Sequence, residues 1–334
     1  MTTQEPRLPA RVSRLAARLE HHQIPLYLAA IVLGAAAGLL APPVGAEVEP
    51  VINPVLAALL YVTFLQVPAR QLWRSLRAGR FLGAVMTVNF VVVPLLIAAV
   101  FRSLPDGQAV RVGVLLVLLT PCVDYVIVFS GLAGASGQRL LAATPLLLLA
   151  QMLLLPVFLW LFLGRDLAAI VEAGPFVHAF LVLIVIPLGL AWLTQAWAAR
   201  RPAGATFTTA ANATMVPLMI ATLAVVTASQ LPKLGDDLRA VLAVVPFYVG
   251  FLVVMAVLGV VVARLFRLNA RDGRAIVFTG ATRNSLVVLP LALALPDAFA
   301  VVPAVIVTQT LVEVLGMVVY IRLVPTLLPE PAHR

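Results

Sequence analysis

The chain has 334 residues, of which 62% are hydrophobic and 11% are charged, whereas soluble domains carry roughly 45–50% apolar and about 25% charged residues. This composition excludes an ordinary soluble domain and indicates an integral membrane protein. The net charge of +9 does not indicate a nucleic-acid partner, because the arginines lie in short segments between apolar runs. A single cysteine excludes an internal disulfide and a metal site built from several cysteines. We expect neither a metal ion nor a cofactor.

Ten apolar runs of about 20 residues follow one another, each long enough to cross a bilayer core of roughly 30 Å. The runs lie at residues 25–43, 51–68, 81–101, 113–135, 140–163, 176–198, 211–231, 240–263, 274–295 and 302–323. They predict an all-α, polytopic membrane protein with ten transmembrane helices. We expect cytoplasmic tails at 1–24 and 325–334 around a transmembrane transporter domain at 25–324.

Basic residues are unevenly divided between the segments that connect these runs. The two tails and every second connection hold 17 of the 23 basic residues, whereas the alternate connections hold 5. Lys and Arg are enriched on the cytoplasmic side of membrane proteins. The bias therefore predicts that both termini are cytoplasmic, in the plasma (inner) membrane. No small-residue cleavage site follows the first run, so we expect the N-terminal tail to be retained.

The ten runs divide into two sets of five, at about 25–164 and 175–323. An odd number of spans in each half places the halves in opposite orientations, as in transporters with inverted repeats and discontinuous helices at a midplane substrate site. Both halves have an interruption in the corresponding run, at 120–125 in the fourth and at 279–285 in the ninth. We therefore predict broken helices 4 and 9, which cross at the substrate site.

The fourth run holds a proline, the cysteine and a carboxylate within Thr120, Pro121, Cys122 and Asp124. Pro121 cannot donate a backbone hydrogen bond, and such breaks survive in a membrane only where protein or a water-filled cavity satisfies the freed carbonyl groups. Asp124 and Arg283 are ionisable residues in the two interruptions, so pairing or hydration is expected. The pair is either a structural ion pair or a switch in which Asp124 exchanges a proton.

Three further residues within the apolar runs each have two possible roles. Cys122 is either a small packing residue or a thiolate ligand for a soft, thiophilic species. Glu313, with Gln309 and Thr310 one turn before it, is either structural or adjacent to the site. Asn89 is either part of the site or a hydrogen-bonding contact between helices. The sequence shows no spacing typical of metal ligands and no nucleophile–base pair, so it gives no indication of an enzyme.

Four stretches carry a resemblance to a known family. They are Thr-Pro-Cys at 120–122, Phe-Thr-Gly-Ala-Thr-Arg-Asn at 278–284, Leu-Val-Glu-Val at 311–314, and Asn89 with Pro94. They resemble the Ala-Pro-Cys, Phe-Thr-Ala-Ala-Ser-Asn-Asn, Leu-Val-Glu-Val and Asn-Trp…Gly-Pro patterns of the arsenite efflux permeases, in the bile acid/sodium symporter superfamily. The resemblance covers the whole transmembrane chain.

The resemblance implies export of arsenite, and of antimonite, in exchange for protons. It implies a role in substrate binding for Cys122, Thr120, Thr282 and Asn284, and in support for Pro121, Glu313 and Asn89. The ionisable character of Asp124 and Arg283, rather than the resemblance, suggests their role in proton coupling. This chain departs from the family at Arg283, which replaces a second asparagine, at Leu286, which replaces a glutamate, and at the added Asp124. A guanidinium in this region argues against sodium coupling. The alternative function is a carrier of an organic anion, such as a bile acid or keto acid, which Arg283 would clamp.

Overall fold

The computed structural model describes residues 14, 18–20, 22–66, 79–123, 125–164, 181–232, 238–293 and 295–330. These residues are helical apart from turns and short connections, and their one β-type feature is an isolated bridge described below. The helices are α1 (Gln23–Leu40), α2 (Pro42–Val48), α3 (Ile52–Leu65), α4 (Gly79–Ser103), α5 (Gln108–Leu118), α6 (Tyr125–Leu132), α7 (Gly137–Leu163), α8 (Ile186–Ala198), α9 (Pro202–Asn212), α10 (Met215–Gln230), α11 (Leu238–Leu265), α12 (Ala270–Ala281), α13 (Ser285–Leu293) and α14 (Val302–Leu327).

The helices form two compact units, each built from two separate parts of the chain. The first unit contains α1–α3 and α8–α10, and the second contains α4–α7 and α11–α14. Each unit therefore takes helices from both predicted repeats, at 25–164 and 175–323. The inverted symmetry of those repeats stays a prediction.

In the first unit, small residues allow α1 and α10 to pack closely. A Cβ atom added to Gly34 would lie 2.5 Å from the carbonyl oxygen of Ala224, so a larger residue would push the helices apart. Helix α8 is joined to the end of α3 by polar contacts. The Tyr61 and Thr194 hydroxyls lie 2.8 Å apart, and the Gln195 side-chain amide donates to the carbonyl of Phe64 at 3.1 Å.

In the second unit, α4 contains a π-helical turn at Val88–Val92. Pro94 follows this turn and has no N–H group, so one backbone hydrogen bond of an α-helix is missing here. Asn89 lies in the turn and is buried, and its Nδ2 donates to the carbonyl of Val85 at 3.0 Å and to the hydroxyl of Thr279 at 3.2 Å. The turn thus links α4 to α12.

Four described helices are long and apolar enough to cross a membrane. They are α4, α14, residues Leu146–Leu163 of α7 and Val241–Leu265 of α11. The pair α9 and α10, bent by 41°, makes a fifth if it counts as one span. The interrupted runs, α5–α6 and α12–α13, divide into pieces that are each too short. These helices are those of a multi-pass membrane protein, and the number of ten spans stays a prediction.

Candidate functional site

The two helix interruptions meet inside the second unit. Helix α5 ends at Leu118 and α6 begins at Tyr125, while α12 ends at Ala281 and α13 begins at Ser285. The segments between them pair as an antiparallel bridge centred on Pro121 and Arg283. The two interruptions predicted from the sequence are therefore present, and their backbones are in contact.

Two backbone hydrogen bonds hold this bridge. The N–H of Cys122 donates to the carbonyl of Thr282 at 3.1 Å, and the N–H of Asn284 donates to the carbonyl of Thr120 at 2.7 Å. Backbone groups at this depth must find partners within the protein, because lipid offers none. The crossing of the chains supplies those partners to both interruptions at once.

The Arg283 side chain lies at the centre of the crossing and is fully buried. Its Nη1 donates to the carbonyl of Leu118 at 3.1 Å. Its Nη2 lies 2.9 Å from Oδ1 of Asn89, 2.9 Å from the carbonyl of Thr279 and 2.6 Å from the carbonyl of Gly280. Four protein oxygens therefore converge on one guanidinium.

Three of these oxygens belong to the final turns of α5 and α12. The carbonyl groups that end a helix have no partner within it, and the end carries about half a negative charge. Arg283 supplies both the hydrogen bonds and the positive charge that two such ends require. The ring of Phe251 in α11 lies 5.5 Å from the guanidinium carbon and adds a cation–π contact.

Helix α14 makes side-chain hydrogen bonds to the second interruption, between α12 and α13. Oε2 of the buried Glu313 accepts a hydrogen bond from the backbone N–H of Arg283 at 2.8 Å and another from Nε2 of Gln309 at 2.5 Å. The Thr310 hydroxyl donates to that of Ser285 at 2.7 Å. One buried cation and one buried anion are thus attached to the same segment of chain.

The thiol and hydroxyl groups of the crossing are also buried. Cys122, Thr120 and Thr282 each have no exposed surface. The hydroxyl of Thr120 donates to the carbonyl of Leu116 at 2.8 Å, and that of Thr282 donates to the carbonyl of Phe278 at 2.9 Å. Because both hydroxyl hydrogens are engaged, these side chains offer a ligand only their oxygen lone pairs.

Two side-chain amides at the crossing have an atom without a partner among the described residues. They are Nδ2 of Asn284 and Oε1 of Gln309, and both residues are 2% exposed. The side-chain Oδ1 of Asn284 accepts from the N–H of Val287 at 3.3 Å and caps α13. Buried polar groups without partners are uncommon, so this donor and this acceptor are candidates for ligand contacts.

The structure brings most residues of the predicted site together. Those that lie at the crossing or in direct contact with it are Asn89, Thr120, Pro121, Cys122, Thr282, Arg283, Asn284 and Glu313. Asp124 lies outside the described residues, so its pairing with Arg283 stays a prediction. In the described part of the chain, no three His, Cys, Asp or Glu side chains are placed to hold a metal ion.

Sequence reasoning missed the backbone oxygens of Leu118, Thr279 and Gly280 and the ring of Phe251. The carbonyls could have been found, since each lies within a few residues of a predicted interruption, where helix ends have free acceptors. Phe251 gives no such signal, because it is one of many apolar residues in an unbroken run.

The sequence model of the SBF-like CPA transporter family matches residues 25–321, which include both interruptions and every residue of the site. No individual curated protein matches the chain.

Proposed function

Because the chain belongs to the SBF-like CPA transporter family, and so to membrane transporters of the bile acid/sodium symporter type, we propose that it is a sodium-independent secondary transporter in which Arg283 is a fixed internal cation. The observation that carries this proposal is the convergence of four oxygens on the Arg283 guanidinium. The protein moves a small molecule across the bilayer without enzymatic chemistry.

The four oxygens around Arg283 are of a kind that would otherwise bind a metal cation. Carbonyl and amide oxygens are the ligands that hard cations prefer. Here the positive charge is covalently attached and cannot leave. A second monovalent cation 4 Å away would meet a repulsion of about 4 kcal/mol at an effective dielectric constant of about 20. Sodium is therefore neither required nor accommodated.

The contacts of Arg283 favour a neutral substrate over an organic anion. A clamp for a carboxylate or sulfate would direct its donors at the ligand, whereas Arg283 donates to four protein oxygens. Arsenite is mostly neutral at cytoplasmic pH and carries hydroxyl donors. Cys122 supplies a soft ligand, and the oxygens of Thr120 and Thr282 can accept those hydroxyl hydrogens. We therefore propose arsenite, and antimonite, as exported substrates.

Proton exchange is the proposed source of energy. Arg283 and Glu313 contribute one positive and one negative charge to the crossing. An ionised Asp124 adds a third charge, which protonation removes. We assign Asp124 as the exchangeable proton site. We place the transporter in the plasma membrane, with both termini of the chain in the cytoplasm.

The proposed substrate is tested by expressing the protein in an arsenite-sensitive bacterial strain. We expect resistance with the native chain and its loss with Cys122→Ser, since serine keeps the shape and removes the soft ligand. The variant must reach the membrane at the native level, as judged by immunoblotting. Resistance that persists in the variant excludes thiol recognition. Absence of resistance with the native chain, together with uptake of labelled bile acid or keto acid, would favour the organic-anion carrier.

A further inference from the structure

A polar cavity of about 540 Å³ lies in the second unit, away from the crossing. Helices α4, α7 and α12 begin near it and α11 ends near it. Its charged lining consists of Arg80, Arg139, Arg267 and Asp272. The arginine distribution predicts that this end of the unit faces the cytoplasm. With that orientation, the cavity would lie where helices leave the membrane, at the level of lipid headgroups.

Arg80 is held in place by the end of α11. Its Nε and Nη2 donate to the carbonyl of Phe266 at 3.1 and 2.8 Å, and Nη2 also donates to the carbonyl of Arg267 at 3.1 Å. None of these bonds uses Nη1. One edge of a positioned guanidinium is thus left for another acceptor.

Arg139 is paired with Asp272, the only carboxylate among the described residues that line the cavity. Its Nη1 lies 2.5 Å from Oδ2 of Asp272, which also accepts from Nδ2 of Asn269 at 3.0 Å. Oδ1 of Asp272 is buried and has no hydrogen-bond partner among the described residues. A ligand that carries a hydroxyl donor beside its negative charge would suit this group.

Among the described residues that line the cavity, Arg267 supplies the charge that no carboxylate balances. Its backbone has a φ of +50°, a conformation that is uncommon for residues other than glycine. Its guanidinium is exposed and makes no hydrogen bond or ion pair with the described part of the chain. Three guanidiniums and one carboxylate therefore leave the cavity with surplus positive charge.

We propose that this cavity binds a phosphate group, which Arg80, Arg139 and Arg267 contact. Guanidinium groups match the geometry of phosphate oxygens and bind them strongly. The position at the membrane surface points to the headgroup of an anionic phospholipid, since the cytoplasmic leaflet attracts clusters of basic residues in this way. A soluble phosphate ester has the same chemistry, and the test separates the two sources. The proposal does not depend on the transported substrate.

The test measures ligand binding to the purified full-length protein by native mass spectrometry. Phosphatidylglycerol represents the lipid source, and glycerol 3-phosphate represents the soluble source. Arg267→Gln removes the unpaired guanidinium without breaking an internal contact. Arg264→Gln is the matched control, because Arg264 is exposed on the last turn of α11 and does not line the cavity.

We expect Arg267→Gln to weaken phosphatidylglycerol binding roughly tenfold, and Arg264→Gln to leave it unchanged. If glycerol 3-phosphate binds and shows this dependence while phosphatidylglycerol does not, the site takes a soluble phosphate. Equal weakening in both variants would show general attraction to a basic surface and overturn the proposal. Binding of both ligands that is insensitive to Arg267→Gln would overturn it as well.

Discussion

Arg283 shows how one residue can satisfy two interrupted helices. A buried, isolated charge costs several kcal/mol in a membrane, and its four hydrogen bonds to protein oxygens offset that cost. Hydrogen bonds to charged groups contribute about 1.5–3 kcal/mol each, and three of the four acceptors share the two hydrogens of Nη2. The side chain is therefore held at the crossing by backbone and amide oxygens of the described residues.

Glu313 offers a test of charge against hydrogen bonding at the same site. Glu313→Gln keeps an oxygen that can accept from the N–H of Arg283, so we expect a folded protein. Glu313→Leu leaves that buried N–H without a partner, which costs about 1–3 kcal/mol. Thermal unfolding of the purified variants in detergent should rank native and Gln above Leu. Equal stability of the Leu variant would contradict the role assigned to this contact.

At the scale of the elements, the two interruptions and their crossing were predictable from the sequence, and the register of their pairing was not. Pro121 breaks α5 from α6 through its missing N–H, and the small, polar residues from 279 mark the second break. The structure narrows that break, because Thr279 and Gly280 still belong to α12. The partner of Cys122 is Thr282, 160 positions later. Such a register depends on tertiary packing, which hydropathy does not encode.

Packing between α1 and α10 gives a second prediction. Gly34→Ala places a methyl group 2.5 Å from the carbonyl oxygen of Ala224, and such overpacking costs about 1–3 kcal/mol. Gly189→Ala is the matched control within the same unit, because no atom lies within 4 Å of its Cβ position, and alanine favours a helix over glycine by about 1 kcal/mol. We expect the melting temperature to fall for the first variant and not for the second. Equal melting temperatures would show that the helices are not closely packed in solution.

At the scale of the whole molecule, the sequence predicted an all-α membrane protein, which the helices and the family match support. It did not predict how the helices divide into units. The first and second halves of the chain each contribute to both units. Hydropathy indicates that an apolar run is buried in lipid or protein, but it does not indicate which other helices the run packs against. The contact between Gly34 and Ala224 is set by shape rather than by polarity.

Energy coupling is also a property of the whole molecule. Asp124→Asn removes the proposed proton site, so we expect everted vesicles to lose arsenite transport driven by a pH gradient. Asp106→Asn is the control, since this carboxylate is exposed and pairs with Arg111 at 3.2 Å. Transport by the native protein that persists after the pH gradient is collapsed would show that Asp124 is not a coupling site.

The central claim is that Arg283 takes the place of a bound cation, and sodium dependence tests it without knowledge of the substrate. The measurement is the melting temperature of the native protein and of Arg283→Asn, which replaces the guanidinium by an uncharged amide, in sodium chloride and in choline chloride of equal strength. We predict that sodium has no specific effect on the native protein and that it stabilises the variant, because the oxygens around position 283 are then free to bind it. Sodium-specific stabilisation of the native protein would contradict the claim.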